Sequence, residues 1–180
     1  MLYFSDPRCN FERGKMQLQT EFPFYEPGNI VNGKIFIELM QPLQASHIKI
    51  KVKGKEEAKF KRFWNEVERH DDGTTTLHER EEKVHNDKKF LHFEDNVFAV
   101  PGGILNAGTS EISFQFQLPL GIPSSFFFKN KHIREKPKAK VKYIVEAKLC
   151  TGSLLKKDMK YKQVLIIREP PVAFKTGERQ

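Results

Sequence analysis

Apolar and polar residues alternate with period two along most of this 180-residue chain, the spacing that turns one face of a β-strand into a core and the other into water. In residues 34–39, Ile35, Ile37 and Leu39 share one face, and Lys34, Phe36 and Glu38 the other. Ile48, Ile50 and Val52 alternate with Lys49, Lys51 and Lys53, and Ile112, Phe114, Phe116 and Leu118 with Ser113, Gln115 and Gln117. Val141, Tyr143, Val145 and Ala147 interleave with Lys140, Lys142, Ile144, Glu146 and Lys148, and a last strand is expected from about Lys160 to Ile167. Helical spacing is nearly absent.

Turn residues separate these runs: Glu26-Pro27-Gly28-Asn29, Asn32-Gly33, Asp71-Asp72-Gly73, Pro101-Gly102-Gly103, Asn106-Ala107-Gly108 and Thr151-Gly152-Ser153. Each offers the glycine, proline or Asn/Asp that a tight reversal requires. Short alternating strands at this spacing predict an all-β fold, a β-sandwich. Residues 64–89 are charged on both faces around Asp72-Gly73, which predicts a projecting hairpin or a mobile loop. The sandwich is expected over 1–168, with 169–180 a linker or tail leaving the domain.

Composition narrows the class. Hydrophobic residues make up 38% of the chain and 16 of the aromatics are Phe, enough to build a core and too much for a disordered chain. No apolar run approaches the roughly 18–20 residues that span a bilayer, and the first four residues lead into Ser5-Asp6-Pro7 rather than a signal core. A cytoplasmic protein is expected. Two cysteines, Cys9 and Cys150, build no disulfide framework and have no metal-site spacing, which fits a reducing compartment.

The net charge of +8 is concentrated. Residues 129–162 hold 12 Lys/Arg against 3 Asp/Glu, more than the whole chain's excess, so an anionic partner is expected. Lys138, Lys140 and Lys142 should project from one strand face with Lys160 and Lys162 on the next strand, a strip suited to acidic or phosphorylated peptides, or to an anionic membrane. The plainer alternative is a solvated sheet face that keeps the protein soluble. Nucleic acid is disfavoured, because the basic strands lack interleaved aromatics for base stacking. Phe126, Phe127 and Phe128 stand beside Lys129, Lys131 and Arg134. They are either a membrane or partner anchor or a cap on the core. No catalytic constellation appears: the six histidines lack a His-Glu-x-x-His or Cys-His spacing, and Gly102-Gly103 lacks the setting of a phosphate loop. No enzyme activity, metal or cofactor is expected.

Several segments, taken in order, resemble one family. Phe24-Tyr25-Glu26-Pro27-Gly28-Asn29-Ile30-Val31-Asn32-Gly33-Lys34 is similar to the opening motif of arrestin-fold proteins, particularly their arrestin-domain-containing branch. A strand, Pro42, a strand ending at Gly54 and then Trp64 follow in the family's order. Residues 106–119, then Ile122-Pro123-Ser124-Ser125-Phe126, and then 140–149 resemble its later segments. The resemblance implies an N-terminal arrestin-like domain, an immunoglobulin-like antiparallel β-sandwich of seven or eight strands. It also implies a non-enzymatic adaptor role in endocytosis, sorting or signalling, with cytoplasmic tails of membrane proteins as partners, recruitment to plasma membrane or endosomes, and a second arrestin-like domain in a longer parent chain. Arg13 and Lys15 lie closest to where receptor arrestins carry phosphate-reading lysines. Pro170-Pro171-Val172 runs into Ala173 and forms no Pro-Pro-x-Tyr docking motif. The alternatives are a peripheral membrane module acting through 129–162, or a structural subunit of a larger assembly.

Overall fold

The computed structural model describes residues 6–151 and 158–169. Among them are eleven strands, two short 3-10 turns and no α-helix. In chain order the strands are β1 (Asn10–Phe11), β2 (Gly14–Thr20), β3 (Ile30–Leu39), β4 (Leu43–Gln44), β5 (His47–Arg69) and β6 (Thr75–Ala99). There follow β7 (Ile104–Leu105), β8 (Gly108–Gln117), β9 (Phe126–Lys129), β10 (Lys138–Cys150) and β11 (Met159–Leu165). One sheet runs β1-β2-β3-β8, a second runs β11-β10-β5-β6 with β9 also on β10, and β4 pairs with β7 in a two-stranded third. Every ladder is antiparallel.

The alternation read in the sequence becomes the core. Ile35 and Ile37 of β3, Ile48, Ile50 and Val52 of β5, and Tyr143, Val145 and Leu149 of β10 are fully buried between the sheets. Each large aliphatic side chain so removed from water contributes roughly 1.5–3 kcal/mol. The sandwich is closed differently on its two sides. At one, the rings of Phe93 (β6) and Phe116 (β8) meet edge to face at 5.3 Å; at the other, the Gln163 side-chain amide donates to the Thr20 hydroxyl at 2.8 Å.

Two glycines that read as punctuation serve close packing instead. Asn32-Gly33, expected as a turn, lies within β3, where Gly33 pairs with Phe114. A Cβ there would sit 2.3 Å from the Phe114 ring, so the glycine makes room for an aromatic. Gly54, where a strand was expected to end, is mid-β5; a Cβ would come within 2.7 Å of Phe90, beside the register shift in the β5–β6 ladder. That ladder runs on from His47 to Arg69, so residues 64–89 belong to a two-stranded ribbon closed by a turn at 70–74. Ladder pairs with β10 stop at Lys59, and beyond that point the ribbon has no third strand among the described residues.

The 130–137 connection braces the ribbon's root. The Lys61 N–H donates to the Glu135 carbonyl at 2.7 Å, and the Arg134 guanidinium stacks 4.0 Å from the Phe63 ring centroid while pairing with Glu79. Gly152 and Ser153 of the expected Thr151-Gly152-Ser153 turn, Lys156, Lys157 and the tail from 170 onward lie outside the described residues.

Candidate binding site

The sequence motifs at 24–28 and 123–126, a hundred residues apart, meet where the chain leaves the sandwich. Tyr25 forms an isolated parallel bridge with Ile167: its N–H donates to the Ile166 carbonyl at 2.9 Å, and its carbonyl accepts from Arg168 at 2.8 Å. On the other side, the Ser125 N–H donates to the Ile167 carbonyl at 2.8 Å and the Ile167 N–H donates to the Ser125 hydroxyl at 2.9 Å. The Glu169 N–H donates to the Ser124 hydroxyl, also at 2.9 Å. The buried Tyr143 hydroxyl donates to the Pro123 carbonyl at 2.5 Å, and burial pushes its own pKa up to about 12. These bonds fix the chain entering β9.

β9 carries the three phenylalanines. It pairs with the first four residues of β10, from Lys138 to Val141, while β11 takes the same edge from Tyr143 onward. Phe126, Phe127 and Phe128 are 52%, 67% and 46% exposed, so they do not cap the core: β9 lies beyond the part of the second sheet that the first sheet covers. Register puts Phe127 opposite Lys140, on the outer face, and puts Phe126 and Phe128 opposite Val141 and Ala139, on the other face.

The outer face of this sheet gathers the predicted lysines and adds others. Lys138, Lys140, Lys142 and Lys148 of β10 share it with Lys160 and Lys162 of β11 and Lys129 of β9. β5 adds Lys49, Lys51, Lys53, Lys55 and Lys59. These four strands place twelve lysines there against Glu57 and Glu146. β6 supplies Glu94 and Asp87 as counter-charges, and Lys89 besides.

The carboxylates are shared. Glu57, only 8% exposed, lies 3.2 Å from the Lys140 ammonium and 3.5 Å from that of Lys59. Burial raises its pKa, but the surrounding lysines, Lys140 foremost, outweigh that and hold it below the usual carboxylate range. Hydrogen bonds from Lys49 and Lys51 bring Glu94 down to about 2. Asp158 pairs with Lys148 at 2.6 Å. Lys129, Lys138, Lys142 and Lys160 have no carboxylate within 4.0 Å among the described residues.

Arg13 and Lys15 are elsewhere. Lys15 lies on β2 of the first sheet, 3.6 Å from Glu38, and Arg13 sits in the preceding turn, where its carbonyl accepts from Met40. The structure does not bring them to the lysine face. Among the described residues no group of three or more His, Cys, Asp or Glu is placed to hold a metal ion. Cys9 is buried, and Cys150 is partly buried with its thiol pKa raised by burial, the opposite of an activated nucleophile.

The arrangement is thus an antiparallel sandwich with a lysine-rich outer face and an exposed aromatic edge strand. The family of the arrestin (or S-antigen) N-terminal domain matches residues 14–170, and the chain belongs to it. The chain is 27% identical over 158 residues to the arrestin domain-containing protein A of Dictyostelium discoideum, a match covering 87% of this chain and 26% of that protein. It thus spans about a quarter of that relative's length. Among solved structures it resembles Spo0M, a sporulation control protein from Bacillus subtilis, with a TM-score of 0.53 at 16% identity over 89% of this chain and 51% of that one. That likeness shows the fold alone. Among the described residues no helix is long and apolar enough to cross a membrane.

Proposed function

We infer that this chain is a non-enzymatic adaptor module that binds cytoplasmic segments of membrane proteins or of their trafficking partners, by adding an extended peptide to the free side of β9. Family membership supports an adaptor or trafficking role in general, and β9 is the observation that carries the finer reading. The Asn130 N–H donates to the Pro137 carbonyl at 2.9 Å, so in the alternating pattern of an antiparallel ladder Phe128 and Phe126 also turn their main chain towards β10. Phe127 and Lys129 therefore turn theirs outward, where no strand is paired among the described residues. An added strand would take up those groups, cover the phenylalanines and set its own side chains beside Lys129 and Lys138, which favours acidic or phosphorylated sequences. Endocytosis, sorting and signalling are the processes such binding would serve, from the cytoplasm.

The test is an array of cytoplasmic-tail peptides, phosphorylated and not, offered to the purified chain at two salt concentrations. Selective capture of a few tails is expected, weakened at least tenfold by Phe127→Pro, which removes the outward donor and leaves the bonds of Phe126 and Phe128 to β10 in place. Equal capture of every acidic peptide, or capture unaffected by Phe127→Pro, would refute strand addition.

A further inference from the structure

We propose that the outer lysine face of the β11-β10-β5-β6 sheet docks on an anionic lipid bilayer, with Phe127 entering the headgroup layer at its edge. The proposal does not require peptide addition at β9, although both readings use Phe127, Lys129 and Lys138. Three observations favour a membrane over a single phosphate or a peptide. First, the four lysines without carboxylate partners are spread over the face: Lys129 and Lys138 face each other across β9 and β10, but Lys148, the β10 residue that faces Lys160, is ten residues from Lys138 on one strand, roughly 33 Å at strand rise. Cations spread that far suit a field of headgroups and make no one phosphate pocket. Second, the main chain of β10 is taken by β5 on one side and by β9 and β11 on the other. No peptide can join it by backbone bonds, and only side-chain charge is on offer. Third, Phe127 stands on this same face, in register with Lys140 and next but one to Lys129, and it is the most exposed of the three rings. A ring beside cations is what an interfacial anchor requires.

The acids do not cancel the face. Glu57 is buried beneath Lys140 and Lys59, and Glu94 is tied to Lys49 and Lys51, while Lys129, Lys142 and Lys160 are exposed and Lys138 half-buried. Each lysine at an anionic surface strengthens binding about fivefold, and binding fades once salt shortens the screening length.

Sedimentation of the purified chain with vesicles of phosphatidylcholine, alone or with about 30% phosphatidylserine, tests this. Binding only to the anionic vesicles is expected. The triple variant Lys138→Gln, Lys142→Gln, Lys160→Gln should lose about a hundredfold, and Phe127→Ala at least fivefold. Lys34→Gln, Arg62→Gln and Lys88→Gln together remove equal charge from other faces and should cost far less. With Trp64, the one tryptophan, changed to Phe, a Phe127→Trp variant should shift its emission to shorter wavelength on anionic vesicles. Equal loss in the two triple variants would mean generic charge and overturn the proposal, as would an unshifted emission. Absence of vesicle binding also overturns it. So does capture by these lysines of an acidic phosphopeptide or an oligonucleotide in place of vesicles.

Discussion

Replacing Ser125 with Ala should destabilise the fold out of proportion to the one oxygen removed. Ile167 is fully buried, and its N–H donates to the Ser125 hydroxyl at 2.9 Å. The parallel bridge to Tyr25 uses the main chain of Ile166 and Arg168 and does not reach that group. Without the hydroxyl, a buried donor goes unpaired, which costs about 1–3 kcal/mol. Taking about 2 kcal/mol, the midpoint of thermal unfolding should fall by roughly 4–8 °C for a domain of this size. The built-in comparison is Ser124→Ala: its hydroxyl accepts from Glu169 at an exposed position, where water replaces it, so the loss should stay within about 0.5 kcal/mol. Urea titrations of the two variants measure the difference, and hydrogen exchange at Ile167 locates it. Equal losses, or an Ile167 amide as protected in Ser125→Ala as in the parent, would refute the assignment.

Other perturbations have defined outcomes. Gly33→Ala forces a methyl onto the Phe114 ring and should cost about 1–3 kcal/mol in urea unfolding. Glu94 is depressed from 4.5 to about 2 by Lys49 and Lys51, so its contribution to stability is complete above about 4.5 and lost as pH falls towards 2. Glu94→Gln should therefore flatten the acid limb of a stability–pH curve measured over that window. Arg134→Ala removes both the pairing with Glu79 and the stack on Phe63; faster amide exchange is expected in the ribbon, with β10 and β3 unchanged.

Much of the fold was legible because period two is a direct consequence of strand geometry: Ile35, Ile37, Ile48 and Ile50 are buried where alternation put them. Glycine was read less well. In the sequence, Gly33 and Gly54 look like turn residues, and only the opposing strand reveals that each makes room for an aromatic ring, Phe114 or Phe90. Phe36, assigned to the polar face, is 6% exposed, a burial that the local alternation does not signal. The lysine strip of β10 and β11 was readable from spacing, but the joining of β5 was not, since strand order is set by long-range pairing. For the same reason Arg13 and Lys15 could not be separated from that strip by sequence distance. The exposure of Phe126–Phe128 follows from how far β10 overhangs the opposite sheet, a length that no local signal encodes.

The ribbon formed by β5 and β6 past Lys59 is, mechanically, a cantilever. Its free end at the 70–74 turn is about ten residue pairs from the last rung shared with β10, on the order of 30 Å at strand rise. A load at the tip therefore arrives at the root as torque. The root resists with a small set of contacts, the Lys61–Glu135 bond and the Arg134 side chain wedged between Phe63 and Glu79. Because the segment 130–137 that supplies this strut also joins β9 to β10, bending the ribbon pulls on the strand that displays the phenylalanines, and whatever grips one end of this lever is felt at the other.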